Sequence, residues 1–339
     1  MQNKIITAHD LLDSNGALIE SGWSDRELLS YNPRSIRLNR MSMKEWDSYI
    51  IFGSDGKYAL SLTFADKRFT GLIGAAFYNI ERKTFYECYN QKLLPAGSIT
   101  LSKSIENGSV VYNSGSTQLM YLVTENERHL FCKFSPSYGD NIEANIHLSY
   151  NRGDDIFSVA TPFKDDEAQF CFNQKLMSMP AQGYVKVNGE TFEFSPQSDF
   201  GILDWGRGVW LEDITRYRCT GAFTVDGKRA GFSIGYGFGV TEKASENFFF
   251  IDGHCHKLGR VFIDIPEDGS DVVIRSDDKR FEVTVVPNYS CESKHSLLKF
   301  SFSERMLFGR MSGTVVLDDG TQLNLDSVPC LCERTNNKY

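Results

Sequence analysis

The sequence predicts an all-β protein made of two consecutive antiparallel barrel-like halves with few short helices. Three observations support this prediction. Aromatic residues make up 13% of the 339 residues, with 25 Phe and 15 Tyr, an excess that is typical of strands. Asn-Gly and Asp-Gly pairs, which favour tight hairpin turns, recur along the whole chain. No segment shows the alternation of strand and helix that builds a parallel sheet.

Three of these dipeptides have flanking residues that predict a strand register. The predicted cross-strand partners are Val185 with Phe192 around Asn188-Gly189, Phe223 with Ala230 around Asp226-Gly227, and Val316 with Leu323 around Asp319-Gly320. In each hairpin one register places apolar partners on one face and mostly polar residues on the other. These patterns predict antiparallel sheets, which protect their edges by closing or by stacking.

Helical patterns are weak. Residues 25–38 are interrupted by Pro33, and residues 164–176 begin with charged residues but become aromatic at Phe170 and Phe172. We therefore expect one or two short helices.

A break in the apolar pattern suggests two domains. Between residues 150 and 166, the stretches Asn-Arg-Gly-Asp-Asp and Lys-Asp-Asp-Glu interrupt the strand signals. We therefore expect a first barrel-like domain over residues 1–160 and a second over residues 161–339.

Composition argues against several classes of partner. The net charge is −8 and no basic run is present, so an electrostatic grip on nucleic acid is not expected. No segment approaches the roughly 20 apolar residues of a membrane-spanning helix, and the first residues lack the apolar stretch of a signal peptide. The eight cysteines are scattered through a long chain, which favours free thiols and a cytoplasmic protein.

Several short motifs resemble a known family through their order and spacing. They are Gly22-Trp23-Ser24, Lys44-Glu45-Trp46-Asp47, Asn173-Gln174-Lys175, Asp204-Trp205-Gly206-Arg207-Gly208, Glu246-Asn247-Phe248-Phe249 and Phe308-Gly309-Arg310. Together they are similar to the family known as domain of unknown function 2804, over nearly the whole chain. The resemblance implies a shape like the calycin or lipocalin-like double barrels of carotenoid hydratases and related cyclases, which enclose lipophilic molecules. After Arg207, where family members often continue with Trp-Pro-Tyr, this chain continues with Val209-Trp210.

The segment from Asp204 to Trp210 is the richest in side chains suited to chemistry. The guanidinium of Arg207 offers a planar fork of donors for a polar ligand group, and the indoles of Trp205 and Trp210 offer flat apolar surfaces. An Asp within reach of an Arg stays ionised. The segment is therefore interpreted either as a ligand site or as a structural ion pair with core-packed tryptophans.

Glu246 and Asn247 form a second candidate, because they precede the apolar run of residues 248–251 at the mouth of a strand. Asp204 and Glu246 would divide acid and base roles if their surroundings separated their pKa values. Trp46 is predicted to line the cavity, with packing in the core as the alternative. The predicted catalytic residues are thus Asp204 and Glu246.

No metal or cofactor is predicted. His254 and His256 lie on one face of a strand, but a metal would need a further ligand from elsewhere. No phosphate-binding loop or dinucleotide fingerprint is present in the sequence.

Three functional hypotheses follow. The first is an enzyme that acts on an enclosed, largely apolar small molecule by acid–base chemistry of the hydratase, cyclase or isomerase type, with Arg207 positioning Asp204. The second is a glycoside-acting enzyme that uses Asp204 and Glu246 as a carboxylate pair. The third is a non-catalytic carrier of the same kind of small molecule.

Overall fold

The structure, a computed structural model, describes residues 2–95, 97–164, 166–210, 213–297 and 300–338. Most of these residues lie in strands, as predicted, and the two short 3-10 turns are Pro33–Ser35 and Arg40–Ser42. The second segment considered for a helix is instead part of a long strand, because Phe170, Phe172 and their neighbours are buried between adjacent strands. No helix in the described part of the chain has the length and apolar character needed to cross a membrane.

The first half contains fifteen strands among the described residues, and most of them belong to one antiparallel sheet. They are β1 (His9–Asp10), β2 (Gly22–Ser24), β3 (Leu29–Ser30), β4 (Met43–Gly53), β5 (Tyr58–Asp66), β6 (Thr70–Asn79), β7 (Thr84–Leu93), β8 (Val110–Ser114), β9 (Thr117–Val123), β10 (Glu127–Phe134), β11 (Ile142–Ser149), β12 (Phe157–Phe163), β13 (Asp166–Val187), β14 (Glu190–Phe194) and β15 (Phe200–Val209). The main path through the sheet is β7-β6-β5-β4-β15-β13-β11-β10-β9-β8. Its two edges approach each other, since Lys92 of β7 lies 4.6 Å from the ring centre of Tyr112 of β8.

The second half is one curled antiparallel sheet. Its strands are β16 (Ile214–Val225), β17 (Lys228–Tyr236), β18 (Phe248–Ile251), β19 (His254–Lys257), β20 (Val261–Asp264), β21 (Val272–Ser276), β22 (Phe281–Leu297), β23 (Phe300–Val316) and β24 (Gln322–Lys338). The order is β19-β18-β17-β16-β24-β23-β22-β21-β20. The hydroxyl of Tyr236 on β17 donates a hydrogen bond of 3.0 Å to the carbonyl of Ile263 on β20, which ties the curled sheet together. The chain therefore has the two half-barrels that the sequence predicts.

The division between the sheets lies later in the chain than the expected boundary at residues 160 and 161. Strand β13 pairs with β11 on one side and with β15 on the other, so residues 166–209 belong to the first sheet. The second sheet begins at Ile214. The Asp-Trp-Gly-Arg-Gly motif thus lies on the last strand of the first sheet rather than in the second domain.

Each half is packed with apolar side chains on its inner face. Leu60, Leu62 and Phe64 of β5 are fully buried in the first half, and Phe232 and Phe281 are fully buried in the second. A further apolar cluster, which includes Phe52, Tyr78, Phe248 and Phe308, joins the two halves. The strand alternation that buries one face of β4 and β5 leaves the other face directed at the second half.

Two of the three predicted hairpin registers are confirmed and one is wrong by one residue. Val185 pairs with Phe192, and Phe223 pairs with Ala230. Leu323, however, pairs with Val315 rather than with Val316. The turn holds three residues instead of two, because Gly320 adopts a φ of +86° and accommodates the extra residue.

The prediction that every cysteine is a free thiol is wrong for one pair. Cys219 on β16 and Cys332 on β24 stand directly opposite each other, with their Cα atoms 4.1 Å apart, and they form a disulfide. The other six cysteines are free thiols. Spacing in the sequence did not reveal the pair, because a separation of 113 residues is closed only by the pairing of β16 with β24.

Candidate functional site

A cavity of about 430 Å³ lies between the two halves. On β4, Tyr49 and Ile51 point into the core of the first half, whereas Trp46, Ser48 and Ile50 point into the cavity. The resemblance implied barrels that enclose their ligand, but this cavity lies inside neither half. The inner faces are filled by the core, so the space forms where the outer faces of the two sheets meet.

The cavity has an apolar wall and a polar wall. The apolar side chains that line it come from both halves and include Ile50, Leu72, Ile202, Trp210, Phe238, Phe302, Met306 and Leu331. On the polar wall, the hydroxyls of Ser48 and Thr63 lie 2.8 Å apart, and a group of charged residues surrounds Lys175. The volume falls within the range of about 300–1,000 Å³ that is common for small-molecule sites.

Asp204, one of the two predicted catalytic residues, lies in the polar wall and is held by four donors. Its Oδ1 accepts hydrogen bonds from Trp46 Nε1 at 3.0 Å and from Asn173 Nδ2 at 2.7 Å. Its Oδ2 accepts from Lys175 Nζ at 2.9 Å and from Arg218 Nη1. Burial would raise the pKa of the Asp204 carboxyl, but the cations of Lys175 and Arg218 outweigh burial and hold this pKa well below its usual range.

Glu246, the other predicted catalytic residue, shares a cation with Asp204. Its carboxyl oxygens each lie 2.6 Å from Arg216 Nη2, and one of them lies 3.1 Å from Lys175 Nζ. Burial opposes ionisation, but Arg216 and Lys175 lower the pKa of Glu246 to about 2. The two carboxyls are therefore joined by the ammonium of Lys175, and both are ionised at neutral pH.

Glu246 does not line the cavity, whereas another carboxyl, Glu304 on β23, does and has the opposite character. Burial and the neighbouring carboxylate of Glu333 raise the pKa of Glu304 to about 8, although Arg218 and a hydrogen bond of 3.3 Å from Thr335 Oγ1 act in the other direction. Glu333 itself accepts a hydrogen bond of 2.6 Å from Arg218 Nε. Glu304 therefore carries a proton near neutral pH, within the same cavity that holds the ionised Asp204.

Glu304 lies outside every segment singled out in the sequence. It is one of several polar residues at the start of β23, and no motif or spacing distinguishes it. Its importance comes from the fold, which places β23 beside β24 and opposite the first sheet.

Trp46 and Trp210 line the cavity, whereas Trp205 and Arg207 do not. The guanidinium of Arg207 is fully buried on the inner face of the first half, 2.8 Å from Asp47 Oδ1 and 3.9 Å from the ring centre of Trp205. The expectation that Arg207 pairs with Asp204 is wrong, because residues three apart on a strand project to opposite faces.

Asn247 is buried and lies within the second sheet rather than at the cavity. Its Oδ1 accepts a hydrogen bond of 2.8 Å from the backbone N–H of Gly235, and its Nδ2 donates one of 3.0 Å to the carbonyl of Gly259. These bonds join three segments of the second half. The contacts of Asn247 are thus those of a residue that stabilises the sheet.

His254 and His256 each lie near a different carboxylate. His254 lies 3.7 Å from Asp155, and His256 lies 3.3 Å from Asp318. In the described ranges, no group of three or more His, Cys, Asp or Glu side chains is placed to hold a metal ion.

Comparisons with known proteins identify the family of this chain. The model of the family described as domain of unknown function, DUF2804, matches residues 2–339. Kievitone hydratase from Nectria haematococca has a similar structure, with 11% identity, 98% of each chain covered and a TM-score of 0.49. CghA with Sch210972 is similar at 11% identity, with 88% of each chain covered and a TM-score of 0.42. No curated protein matches the chain significantly. At these identities and TM-scores, the structural likenesses carry no inference about activity.

Proposed function

The chain belongs to the domain of unknown function 2804 family, and we propose that it binds a small, largely apolar molecule between its two halves and catalyses proton transfer to and from it. The reaction class is that of a hydratase, a cyclase or an isomerase. The observation that carries this proposal is that one cavity holds two carboxyls in opposite settings: burial and the Glu333 carboxylate raise the pKa of Glu304, whereas Lys175 and Arg218 hold the pKa of Asp204 low. Carboxyl groups whose pKa values are pushed apart are typical of acid–base sites.

Glu304 is the proton donor in this proposal. After it gives up its proton, its carboxylate is stabilised by the positive charges of Arg218 and Lys67, which already act on it. The same carboxylate then takes a proton back from the reacting molecule, so that the enzyme returns to its starting state. A general acid with a pKa near neutrality contributes about 10²- to 10⁴-fold to a rate.

Asp204 serves this site as a fixed negative charge rather than as the acid. With its pKa held far below neutrality, it carries no proton to donate and is a weak base. Its hydrogen bond from Trp46 Nε1 sets the orientation of that indole in the cavity wall. The indole of Trp46, which lines the cavity, stabilises positive charge that develops on a bound molecule.

The glycoside hypothesis receives less support from this geometry. Glycoside hydrolysis needs one protonated carboxyl in the pair. Asp204 and Glu246 are both ionised and both bound to Lys175, so the pair contains no acid.

A conversion assay tests the proposal. Purified protein is incubated with an organic-solvent extract of cells, and changes in mass or retention time are followed by liquid chromatography and mass spectrometry. We expect the wild type to convert at least one compound and Glu304→Gln to convert it about 100-fold more slowly or less well still. Glu292→Gln is the matched control, because Glu292 is an exposed residue of the neighbouring strand that pairs with Lys294.

The outcomes separate the hypotheses. Equal rates for the wild type and Glu304→Gln would show that Glu304 is not the acid. Capture of a compound without conversion would favour the carrier function instead.

A further inference from the structure

Two lysines stand opposite each other on the cavity face of the first sheet. The register of β4 and β5 pairs Glu45 with Asp66 and Trp46 with Ala65, and one further step places Lys44 opposite Lys67. Both lysine side chains line the cavity. Like charges directly opposite each other on neighbouring strands destabilise a sheet. The cavity wall of the first sheet therefore presents two neighbouring basic side chains, a setting that favours a bound anion.

The surroundings of Lys44 position its ammonium at the cavity wall. Nζ donates hydrogen bonds to the carbonyls of Ser42 at 3.0 Å and Trp210 at 2.6 Å, and it lies 4.6 Å from the ring centre of Trp210. Burial and the nearby charge of Lys67 lower the pKa of Lys44 to about 7. An additional anion beside Lys44 would favour its charged form.

Lys67, like Lys44, donates a hydrogen bond and lies near an aromatic ring. Its Nζ donates a hydrogen bond of 3.2 Å to Asn337 Oδ1 and lies 4.8 Å from the ring centre of Phe302. Burial lowers the pKa of Lys67 to about 8, and the carboxyl of Glu304 acts in the opposite direction. Asn337, Phe302 and Glu304 belong to the second half, so Lys67 faces the second half across the cavity.

We propose that the ligand of this cavity carries an acidic group, such as a carboxylate, which binds between the ammonium groups of Lys44 and Lys67. The apolar body of the ligand then lies along Phe302, Trp210 and Phe238. This inference rests on the proposed function, because it names the class of molecule that the same cavity accepts.

An acidic ligand also fits the role of Glu304. A negative charge bound next to Lys67 reduces the stabilisation that Lys67 gives to the ionised form of Glu304. Glu304 then keeps its proton more firmly in the complex than in the free protein. Binding of the acid and protonation of Glu304 are thereby coupled.

A pair of fluorescent dyes tests this inference. The probes are 8-anilinonaphthalene-1-sulfonate, which is apolar and anionic, and N-phenyl-1-naphthylamine, which has the same rings without the sulfonate. We expect the wild type to bind the anionic dye about tenfold more tightly than the neutral dye, since charge-assisted hydrogen bonds from two ammonium groups favour it. Lys44→Met and Lys67→Met should each remove most of this preference.

Two control variants make the test specific. Lys57→Met removes an exposed lysine from the turn between β4 and β5, where it pairs with Glu81, and should change neither affinity. Thr63→Trp fills the cavity from β5 and should abolish binding of both dyes. Circular dichroism and thermal unfolding verify that each variant is folded.

The results distinguish failure of this inference from failure of the proposed function. Equal affinities for the two dyes in the wild type, or an unchanged preference in both lysine variants, would overturn the acidic-ligand inference while cavity binding stands. Binding that survives Thr63→Trp would place the dyes on another surface and would also overturn it. If neither dye binds to the wild type, both the inference and the proposed cavity function are contradicted.

Discussion

The two faces of strand β15 carry ionic groups into very different surroundings. On the inner face, Arg207 lies in the core of the first half, where it pairs with Asp47 and donates to the carbonyl of Ser102 at 2.6 Å. On the outer face, Asp204 joins Lys175 at the cavity between the halves. One short motif thus divides into a structural side and a candidate functional side, according to the period of two that a strand imposes.

The comparison also separates the effect of burial from the effect of charge. Asp47 and Asp204 are almost equally buried, with 6% and 5% of their surface exposed. Burial raises the pKa of Asp47 above its usual value even with Arg207 beside it, whereas the pKa of Asp204 is held low by Lys175 and Arg218 against the same effect of burial. The number of cations in contact, rather than depth, decides which carboxyl stays ionised most firmly.

The largest expected effect concerns the inner face. Arg207→Leu leaves Asp47 and Glu45 buried without this cation, so we expect a loss of about 3–5 kcal/mol in the free energy of unfolding. Urea unfolding followed by tryptophan fluorescence measures the loss. Arg152→Leu, which removes an exposed arginine paired with Glu125, is the control and should change stability by less than about 0.5 kcal/mol.

Two results would contradict this assignment of a structural role to the inner face. One is a loss of less than about 1 kcal/mol in the free energy of unfolding of Arg207→Leu. The other is a changed dye affinity of Arg207→Leu while the protein remains folded.

A smaller effect is expected on the outer face. Asp204→Asn keeps an oxygen that accepts from Trp46 and Asn173, but it loses the charge that neutralises Lys175 and Arg218. We expect a loss of about 2–3 kcal/mol near neutral pH, together with tighter binding of the anionic dye because the cavity becomes more positive.

The dependence on pH identifies the cause of this loss. A carboxyl whose pKa is depressed by folding contributes stability above its unfolded pKa, and that contribution is lost as the pH falls toward the folded value. The difference in unfolding free energy between the wild type and Asp204→Asn should therefore shrink on acidification from about pH 7 to about pH 2. A constant difference would show that shape, rather than charge, holds Asp204 in place.

Local patterns were sufficient to predict the fold class and part of the strand pairing. The registers of Val185 with Phe192 and of Phe223 with Ala230 depend on turn residues that stand between the strands, so the sequence contains them directly. The boundary between the halves depends on the partners of β13, which lie before it and after it along the chain. No local sequence pattern near residue 160 indicates this nonlocal pairing.

The site was predictable only in part for the same reason. Asp204 stood out because its motif concentrates charged and aromatic residues, but its cations come from β13 and β16 rather than from Arg207 nearby. The spacing of three between Asp204 and Arg207 already indicates opposite faces once the segment is taken as a strand. The sequence around Glu304 did not indicate a place in the site, since its neighbours at the cavity come from the other half and from β24.

The smallest expected effect concerns Glu304, the cavity carboxyl whose pKa is raised rather than lowered by its surroundings. A carboxyl whose folded pKa is raised takes up a proton on folding, so stability falls as the pH rises from the unfolded value of about 4.5 to about 8 and is level above that. Glu304→Gln lacks this titration. Relative to the wild type, we therefore expect the variant to gain on the order of 1 kcal/mol between about pH 7 and about pH 9. Urea unfolding across this range measures the gain, with Glu292→Gln as the control that should parallel the wild type. Parallel curves for the wild type and Glu304→Gln would mean that Glu304 is ionised at neutral pH, and the contrast between Glu304 and Asp204 on which the proton-donor role depends would then disappear.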